Sequence, residues 1–394
     1  MESLVESYEH HNVTAFETTN SFSSSTSQTK AYAYWKSENL FFNNDLYFES
    51  LLLEIETAKR SVLIEAHIYD SKVLGKRFTK SILKTLSRGV KVFLLLDGAG
   101  GSTYPKSHFR LLERNGAEIC LFHPLPWQKS GHRNVHNVNC RLHKKLWIID
   151  RKIAYSGSLN IDSRHLSQDL GGEDWKDVGI RVSGKRVGLL ENSFWQDWSF
   201  AKFGRETQEN DHIFLEKNIR LNHSTLLRNF NSQSLLRQVL KAKKRIDLVN
   251  PYFVPDKKFL LALKKAIRRG VKVRVIVPKK SDLKWFPLVN SLNYGNLIKD
   301  GIKVFQYNPS ILHAKICLID NWAMVGSSNL NSRSFYHDIE MDLVLTSRTN
   351  LEIINDYFLK LLSHSQSVRH FEVLKKLRNS SGIVPLFKAI RYWL

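Results

Sequence analysis

Residues 143–150 read HKKLWIID and residues 313–320 read HAKICLID, so His143, Lys145 and Asp150 recur as His313, Lys315 and Asp320. Each copy lies on an apolar, strand-like run. Each is followed by a turn of small residues, Gly157-Ser158-Leu159-Asn160 in the first and Gly326-Ser327-Ser328-Asn329 in the second. A single His-x-Lys is common by chance, but two copies in register within a wider repeat point to a site assembled from two matched halves.

The repeat extends well upstream of the motifs. VLIEAHIY (Val62 to Tyr69) parallels IDLVNPYF (Ile246 to Phe253), LSRGVKVFLLLD (Leu86 to Asp97) parallels IRRGVKVRVIVP (Ile267 to Pro278), and RNGAEICLFHP (Arg114 to Pro124) parallels KDGIKVFQYNP (Lys299 to Pro309). Helical stretches alternating with short runs rich in Val, Ile and Leu imply crossover connections and a sheet covered on both faces. The expected fold class is α/β: two duplicated halves, each a mixed sheet flanked by helices, facing each other across a pseudo-two-fold axis with the active site at their interface.

Four segments follow: a Ser/Thr-rich tail over 1–36, a first half over 37–205, a second over 206–372, and a basic amphipathic segment over 373–394. The tail carries TTNSFSSSTSQTK (Thr18 to Lys30), too polar to build a core, and is expected to be disordered. The last segment sets Lys375, Lys376, Arg378, Lys388 and Arg391 beside Leu386, Phe387, Ile390, Tyr392 and Trp393, which suits either a lipid headgroup region or a terminal helix packed on the domain. One insertion breaks the symmetry. Gly116 precedes His143 by 27 positions while Gly301 precedes His313 by 12, the surplus being WQKSGHRNVHNVNC (Trp127 to Cys140). It reads as a loop that either gates the site or is a tolerated surface insertion.

At 394 residues the chain is long enough for two domains with substantial cores. Its net charge of +22 favours a polyanionic partner, nucleic acid or an anionic membrane. Cys120, Cys140 and Cys317 are few and scattered, which fits a reducing compartment and neither a disulfide framework nor a zinc site. No apolar run reaches the roughly 18–20 residues of a spanning helix, and the N-terminus carries no secretory signal.

The paired residues suit one chemistry. A neutral imidazole is a nucleophile and a protonated one is an acid, so two in one pocket allow one of each. Lys145 and Lys315, with Asn160, Asn329, Ser158 and Ser327, would form a cradle of donors for a phosphoryl group. Neither an acidic cluster for magnesium nor a His/Cys spacing for zinc is evident, so no metal and no cofactor is expected. DGAGGS (Asp97 to Ser102) resembles a phosphate loop only superficially and reads as a strand-end turn. His67, His165 and His337 receive no role.

This duplicated motif with a GSxN-type turn resembles the phospholipase D superfamily over roughly residues 36–372. Within it the chain is most similar to bacterial cardiolipin synthases of the B type, which lack N-terminal membrane helices. RLHKKLWIIDRKIAYSGSLNI, PLVNSLNYGNLIKDGIKVFQY and LHAKICLIDNWAMVGSSNLNSRSF carry the likeness. Departures are Ser158 where those synthases usually have Gly, Asn331 where they usually have Asp, and Asp338-Ile339-Glu340 in place of Asn-Phe-Glu.

The resemblance implies a phosphatidyltransferase. His143 would attack the phosphorus of one phosphatidylglycerol, His313 would protonate the departing glycerol, and a second phosphatidylglycerol would capture the phosphatidyl-histidine to give cardiolipin. Phosphatidylethanolamine is a further possible donor. Lys145, Lys315, Asn160 and Asn329 would hold the non-bridging oxygens, with Ser158 and Ser327 adding donors. An acid about thirty positions downstream orients each histidine in the superfamily, and Asp177 and Glu340 match by position. Asp150 and Asp320, grouped with the catalytic motif, would tie strand to loop. The expected partners are anionic phospholipids and a membrane surface, for a monomeric peripheral protein on the cytoplasmic face of the cell membrane. Hydrolysis to phosphatidic acid and cleavage of nucleic acid are the alternatives; the two motifs in one chain and the lack of aromatic stacking platforms beside them disfavour nucleic acid.

Overall fold

The apolar runs become strands buried on both faces, and the way their side chains alternate sets the architecture. The computed structural model describes residues 34–100, 106–125, 128, 140–204, 216–283 and 286–369. The polar tail up to residue 33, most of the 127–140 insertion and the segment over 373–394 lie outside the described residues.

The first half runs β1 (Ser37–Phe41), α1 (Asn44–Thr57), β2 (Ser61–Ala66), α2 (Val73–Leu86), β3 (Lys91–Asp97), α3 (Lys106–Arg114), β4 (Glu118–Phe122), β5 (Leu146–Ile149), β6 (Ile153–Gly157), β7 (Gly179–Ser183) and α4 (Val187–Phe203). The second repeats it as β8 (Ile219–Leu221), α5 (Thr225–Lys241), β9 (Arg245–Val249), α6 (Lys257–Arg268), β10 (Lys272–Pro278), α7 (Phe286–Lys299), β11 (Lys303–Tyr307), β12 (Ile316–Ile319), β13 (Trp322–Gly326), α8 (Ser332–Tyr336), β14 (Met341–Leu345), α9 (Arg348–Ser363) and β15 (Ser365–Ser367). Side-chain caps start several of the helices: Asn43 accepts from the N–H groups of Asp45 and Leu46, and Asp256 from that of Phe259.

The sheets have matching orders, β1-β7-β6-β5-β2-β3-β4 and β8-β14-β13-β12-β9-β10-β11, the second extended by β15 beside β11. Strands β2, β3 and β4 pair in parallel through helical crossovers, as do β9, β10 and β11. The remaining strands pair antiparallel, so each sheet is mixed, as expected.

Along β5, Leu146 and Ile148 face an inner core while Trp147 and Ile149 face an outer one; along β12, Ile316 and Leu318 face inward, Cys317 and Ile319 outward. The inner core takes side chains from both sheets and from α4 and α9, so the halves share one hydrophobic interior. Each fully buried aliphatic or aromatic side chain there contributes about 1.5–3 kcal/mol. That shared layer sets the sheets against each other and fixes where the two motif strands end.

Candidate active site

The segments leading into β5 and β12 cross to the opposite half. Leu142 bridges Ile339, with His143 N–H donating to the Ile339 carbonyl (2.9 Å) and Ile339 N–H to that of Arg141 (2.8 Å). Lys176 bridges Leu312 in the same way, its carbonyl accepting from the N–H groups of His313 (2.8 Å) and Ala314 (2.9 Å). Each histidine is therefore pinned beside the acid of the other half. His143 Nδ1 lies 3.0 and 2.9 Å from the two carboxylate oxygens of Glu340, and His313 Nδ1 lies 2.8 Å from Asp177 Oδ1. The sequence had matched each acid to the histidine upstream of it; the fold exchanges them across the interface.

Both lysines turn back onto their own histidine. Lys145 Nζ donates to the His143 carbonyl at 2.6 Å, and Lys315 Nζ donates to the His313 carbonyl at 2.8 Å and to His313 Nε2 at 2.9 Å. With Nε2 accepting, the neutral His313 ring carries its hydrogen on Nδ1 and gives it to Asp177. A buried triad braces the first motif from behind: Lys144, fully buried, lies 3.1 Å from Glu65 and 2.5 Å from Asp197 and donates to Ser193 Oγ at 2.8 Å.

Burial without full charge compensation dominates the electrostatics. It pushes Lys145 down to about 7 and Lys315 down to about 8, against the pull of Glu340 and Asp177. Burial and then Lys315 lower His313 to about 4. His143 is held well below the ordinary histidine range by burial, by Lys145, and by the imidazoles of His67 and His313 together with Lys315. His143 thus feels the charge of His313 across the interface. The acids diverge. Burial raises Glu340 to about 8, whereas Asp177, despite its burial, is kept well below the usual carboxylate range by His165 and His313.

The turns after the motifs lie against the strands that follow the acids. At Gly157, with φ of +139°, a Cβ would stand 2.2 Å from the Val178 carbonyl oxygen, and one at Gly326 would stand 2.4 Å from that of Met341. Only glycine permits this approach. Ser158 and Ser327, expected to offer hydroxyls to a phosphate, direct them elsewhere: Ser158 Oγ donates to Asp177 Oδ1 (2.6 Å) and Ser327 Oγ to the Met341 carbonyl (3.2 Å). Asn160 and Asn329 are buried, and the side-chain oxygen of each has no partner. A buried side-chain oxygen left unmatched in both halves at the same position is out of place in a finished core and in place in a ligand site.

Asp150 and Asp320 stand apart from the histidines, at the far ends of β5 and β12. Both adopt positive φ, +53° and +47°, and accept backbone N–H groups, Asp150 from Lys59, Arg60 and Ser61, Asp320 from Lys243, Lys244 and Arg245. They close the hairpins onto the preceding strands and take no place beside the imidazoles.

Two histidines without a role in the sequence reading lie at the site. His67 packs edge-on against His143, ring centroids 5.1 Å apart, and burial lowers it to about 4. His165 Nδ1 lies 2.7 Å from Asp177 Oδ2. Ligand atoms of His165, Asp177 and His313 fall within 4.8 Å of one another, a spacing that would admit an ion. Both carboxylate oxygens are however taken by the imidazoles, which describes a hydrogen-bonded chain. Behind it, a cavity of about 750 Å³ lies between α1 and α9, lined by His165, Trp175, Lys176, Tyr307 and Tyr357 and by none of the motif histidines and lysines.

Comparison with known proteins places both halves in one family. Residues 51–198 and 235–362, the two halves, match the family described as cardiolipin synthase, PLD-like domain. The cardiolipin synthase of Listeria welshimeri is 30% identical over 330 residues, covering 82% of this chain and 68% of that protein. Cardiolipin synthase A of Pseudomonas putida strain GB-1 is 28% identical over 334 residues, covering 81% and 68%. The chain thus spans about two thirds of the length of these relatives. Among solved structures, phosphatidylserine synthase of Haemophilus influenzae superposes with a TM-score of 0.69 over 91% of this chain and 95% of that one; at 14% identity the likeness is one of fold.

Proposed function

Because the chain belongs to the cardiolipin synthase family of phospholipase D-like proteins, an enzyme family of phosphatidyltransferases, we propose that it makes cardiolipin from two molecules of phosphatidylglycerol. His143 Nε2 attacks the phosphorus of the first, the bond from phosphorus to the glycerol headgroup breaks, and His313 delivers its proton to the departing oxygen. His313, now neutral, takes the proton of a hydroxyl on the second phosphatidylglycerol, whose oxygen displaces His143 and forms the new diester. One phosphodiester replaces another, so the exchange needs no nucleotide.

The observation that carries the reading is the crossed pairing of His143 with Glu340 and of His313 with Asp177, which makes one site out of two halves. Lys145 and Lys315 supply positive charge where phosphate oxygens would sit, and the Asn160 and Asn329 amides line the same turns. A phosphodiester anion between the imidazoles offsets the lysine charges and raises both histidines. Asp177, held ionised, then makes His313 the one that keeps the proton.

The net charge of +22 supports binding at an anionic lipid surface. No helix among the described residues is long and apolar enough to cross a membrane. We read the protein as peripheral and monomeric. The test is product analysis by mass spectrometry after incubation with phosphatidylglycerol vesicles and, separately, single-stranded DNA. Cardiolipin with intact DNA is expected; phosphatidic acid alone would mean a hydrolase, and cut DNA a nuclease.

A further inference from the structure

From the glycine-serine turn onward the halves run in register, GSLNIDSRH over 157–165 against GSSNLNSRS over 326–334. The last position is His165 in one and Ser334 in the other, and the two side chains occupy matching places. Asn160 N–H donates to His165 Nε2 (3.2 Å), and Asn329 N–H donates to Ser334 Oγ (3.0 Å). Each side chain then passes a hydrogen to the acid of its own half: His165 Nδ1 to Asp177 Oδ2 at 2.7 Å, and Ser334 Oγ to Glu340 Oε1 at 2.6 Å. Since the backbone of Asn160 occupies Nε2, the neutral His165 ring must carry its hydrogen on Nδ1. Asp177 therefore stands between two imidazole N–H donors, where Glu340 has one imidazole and, beyond it, the hydroxyls of Ser334 and Ser327.

We propose that His165 is a positioning residue that clamps Asp177 between two imidazoles and so commits His313, and not His143, to carrying the proton in phosphatidyl transfer. The inference rests on the transfer reading above and extends it to a residue outside both motifs. His165 is suited to the task because it cannot move. It is 1% exposed, its ring packs edge-on against Trp175 with centroids 5.2 Å apart, and Asn44 Nδ2 ties down the carbonyls of both His165 (2.9 Å) and Trp175 (2.7 Å). With Oδ2 held by His165 and Oδ1 shared by Ser158 and His313, the carboxylate has a fixed plane and fixes the ring it holds. Glu340 meets His143 with both oxygens at nearly equal distance, 3.0 and 2.9 Å, a looser constraint. The second half shows what the same backbone does without the extra imidazole.

The test compares the full-length protein with His165→Ser, which copies the second half onto the first, and His165→Asn, whose side-chain nitrogen falls where ring Nδ1 was. Two substrates are used: phosphatidylglycerol, whose alkoxide leaving group needs an acid, and a phosphatidyl p-nitrophenyl ester, whose first step does not. The serine variant should lose roughly 10²-fold in kcat on phosphatidylglycerol at unchanged KM, keep its p-nitrophenol burst within a factor of about three, and regain most of the loss as the asparagine variant. Equal losses on both substrates, no loss, or no recovery with asparagine would overturn the proposal. If the serine variant fails to fold, His165→Asn against His165→Gln decides: turnover near wild type for Asn and reduced for Gln supports the clamp, and any other order overturns it. NMR of protein labelled with 15N-histidine adds a readout independent of turnover. The His313 Nδ1 proton should be protected in wild type and the asparagine variant and exchange fast in the serine variant; unchanged protection would count against the clamp. Wild type that yields no transfer product sinks the transfer reading; active wild type indifferent to His165 sinks only the clamp.

Discussion

The acid that holds His313 and the acid that holds His143 come from one duplicated segment, yet their surroundings differ in kind. Asp177 precedes a strand packed on an aromatic floor, where a Cβ at Gly179 would stand 2.2 Å from the Tyr47 ring, and its charge is answered by two imidazoles. Glu340 precedes a strand with a polar floor. Its N–H donates to Asn222 Oδ1 (2.6 Å), Asp342 follows two residues later, and burial leaves its carboxyl at about 8. A shared backbone places the two histidines alike, and the neighbours then separate them into unlike roles.

The largest expected effect removes one side of the comparison outright. His143→Ala should lower kcat on the order of 10⁴-fold or more with the fold retained, the melting temperature falling by no more than the loss of one buried hydrogen bond, to Glu340, explains. Steady-state turnover and calorimetry check both halves of the statement. Exchanging the acids comes next. Asp177→Asn should cost roughly 10²–10⁴-fold in kcat and Glu340→Gln distinctly less, since the first breaks a charge answered by two imidazoles and the second replaces a group that burial keeps near neutrality. Equal penalties would erase the asymmetry.

A third comparison uses pH. Lysine binds a phosphate oxygen only when charged, and burial lowers Lys145 to about 7 and Lys315 to about 8, so kcat/KM of the free enzyme should fall as pH rises past about 7 and more steeply past about 8. Lys315→Arg, whose guanidinium stays charged, should make that alkaline limb shallower above about 8; an unchanged limb would assign the fall to another group. The smallest effect concerns the hairpin ends. Asp320→Asn should cost about 1–2 kcal/mol of stability through weaker acceptance of backbone N–H groups, read as a lower melting temperature with kcat unchanged.

Much of this was legible from the chain because a duplicated sequence shows its alignment internally. Strands buried on both faces read as continuous runs such as VKVFLLLD, and the repeat located every strand of the crossover units. The motif histidines and lysines stood out for the same reason. Other features depend on tertiary contact. Counting residues downstream from His143 reaches Asp177, and only the bridges from Leu142 to Ile339 and from Lys176 to Leu312 show that the partners are exchanged. Ser158 and Ser327 have the chemistry of phosphate donors, but their turns lie so close to the next strands that the hydroxyls bond there. Asp150 and Asp320 travel with the motif in sequence, and a strand's length separates them from it in space. His165 was visible only as one unlike residue at the end of an aligned pair of turns, a signal that gains meaning once its ring is seen against Asp177.

The division of labour between the halves can be measured directly by trapping the covalent intermediate. The protein would be mixed with phosphatidylglycerol labelled in the phosphatidyl group, quenched within one turnover in alkaline denaturant, digested and mapped by mass spectrometry. The label should sit on the peptide containing His143, with none on that containing His313. Label on His313, or on neither histidine, would contradict it.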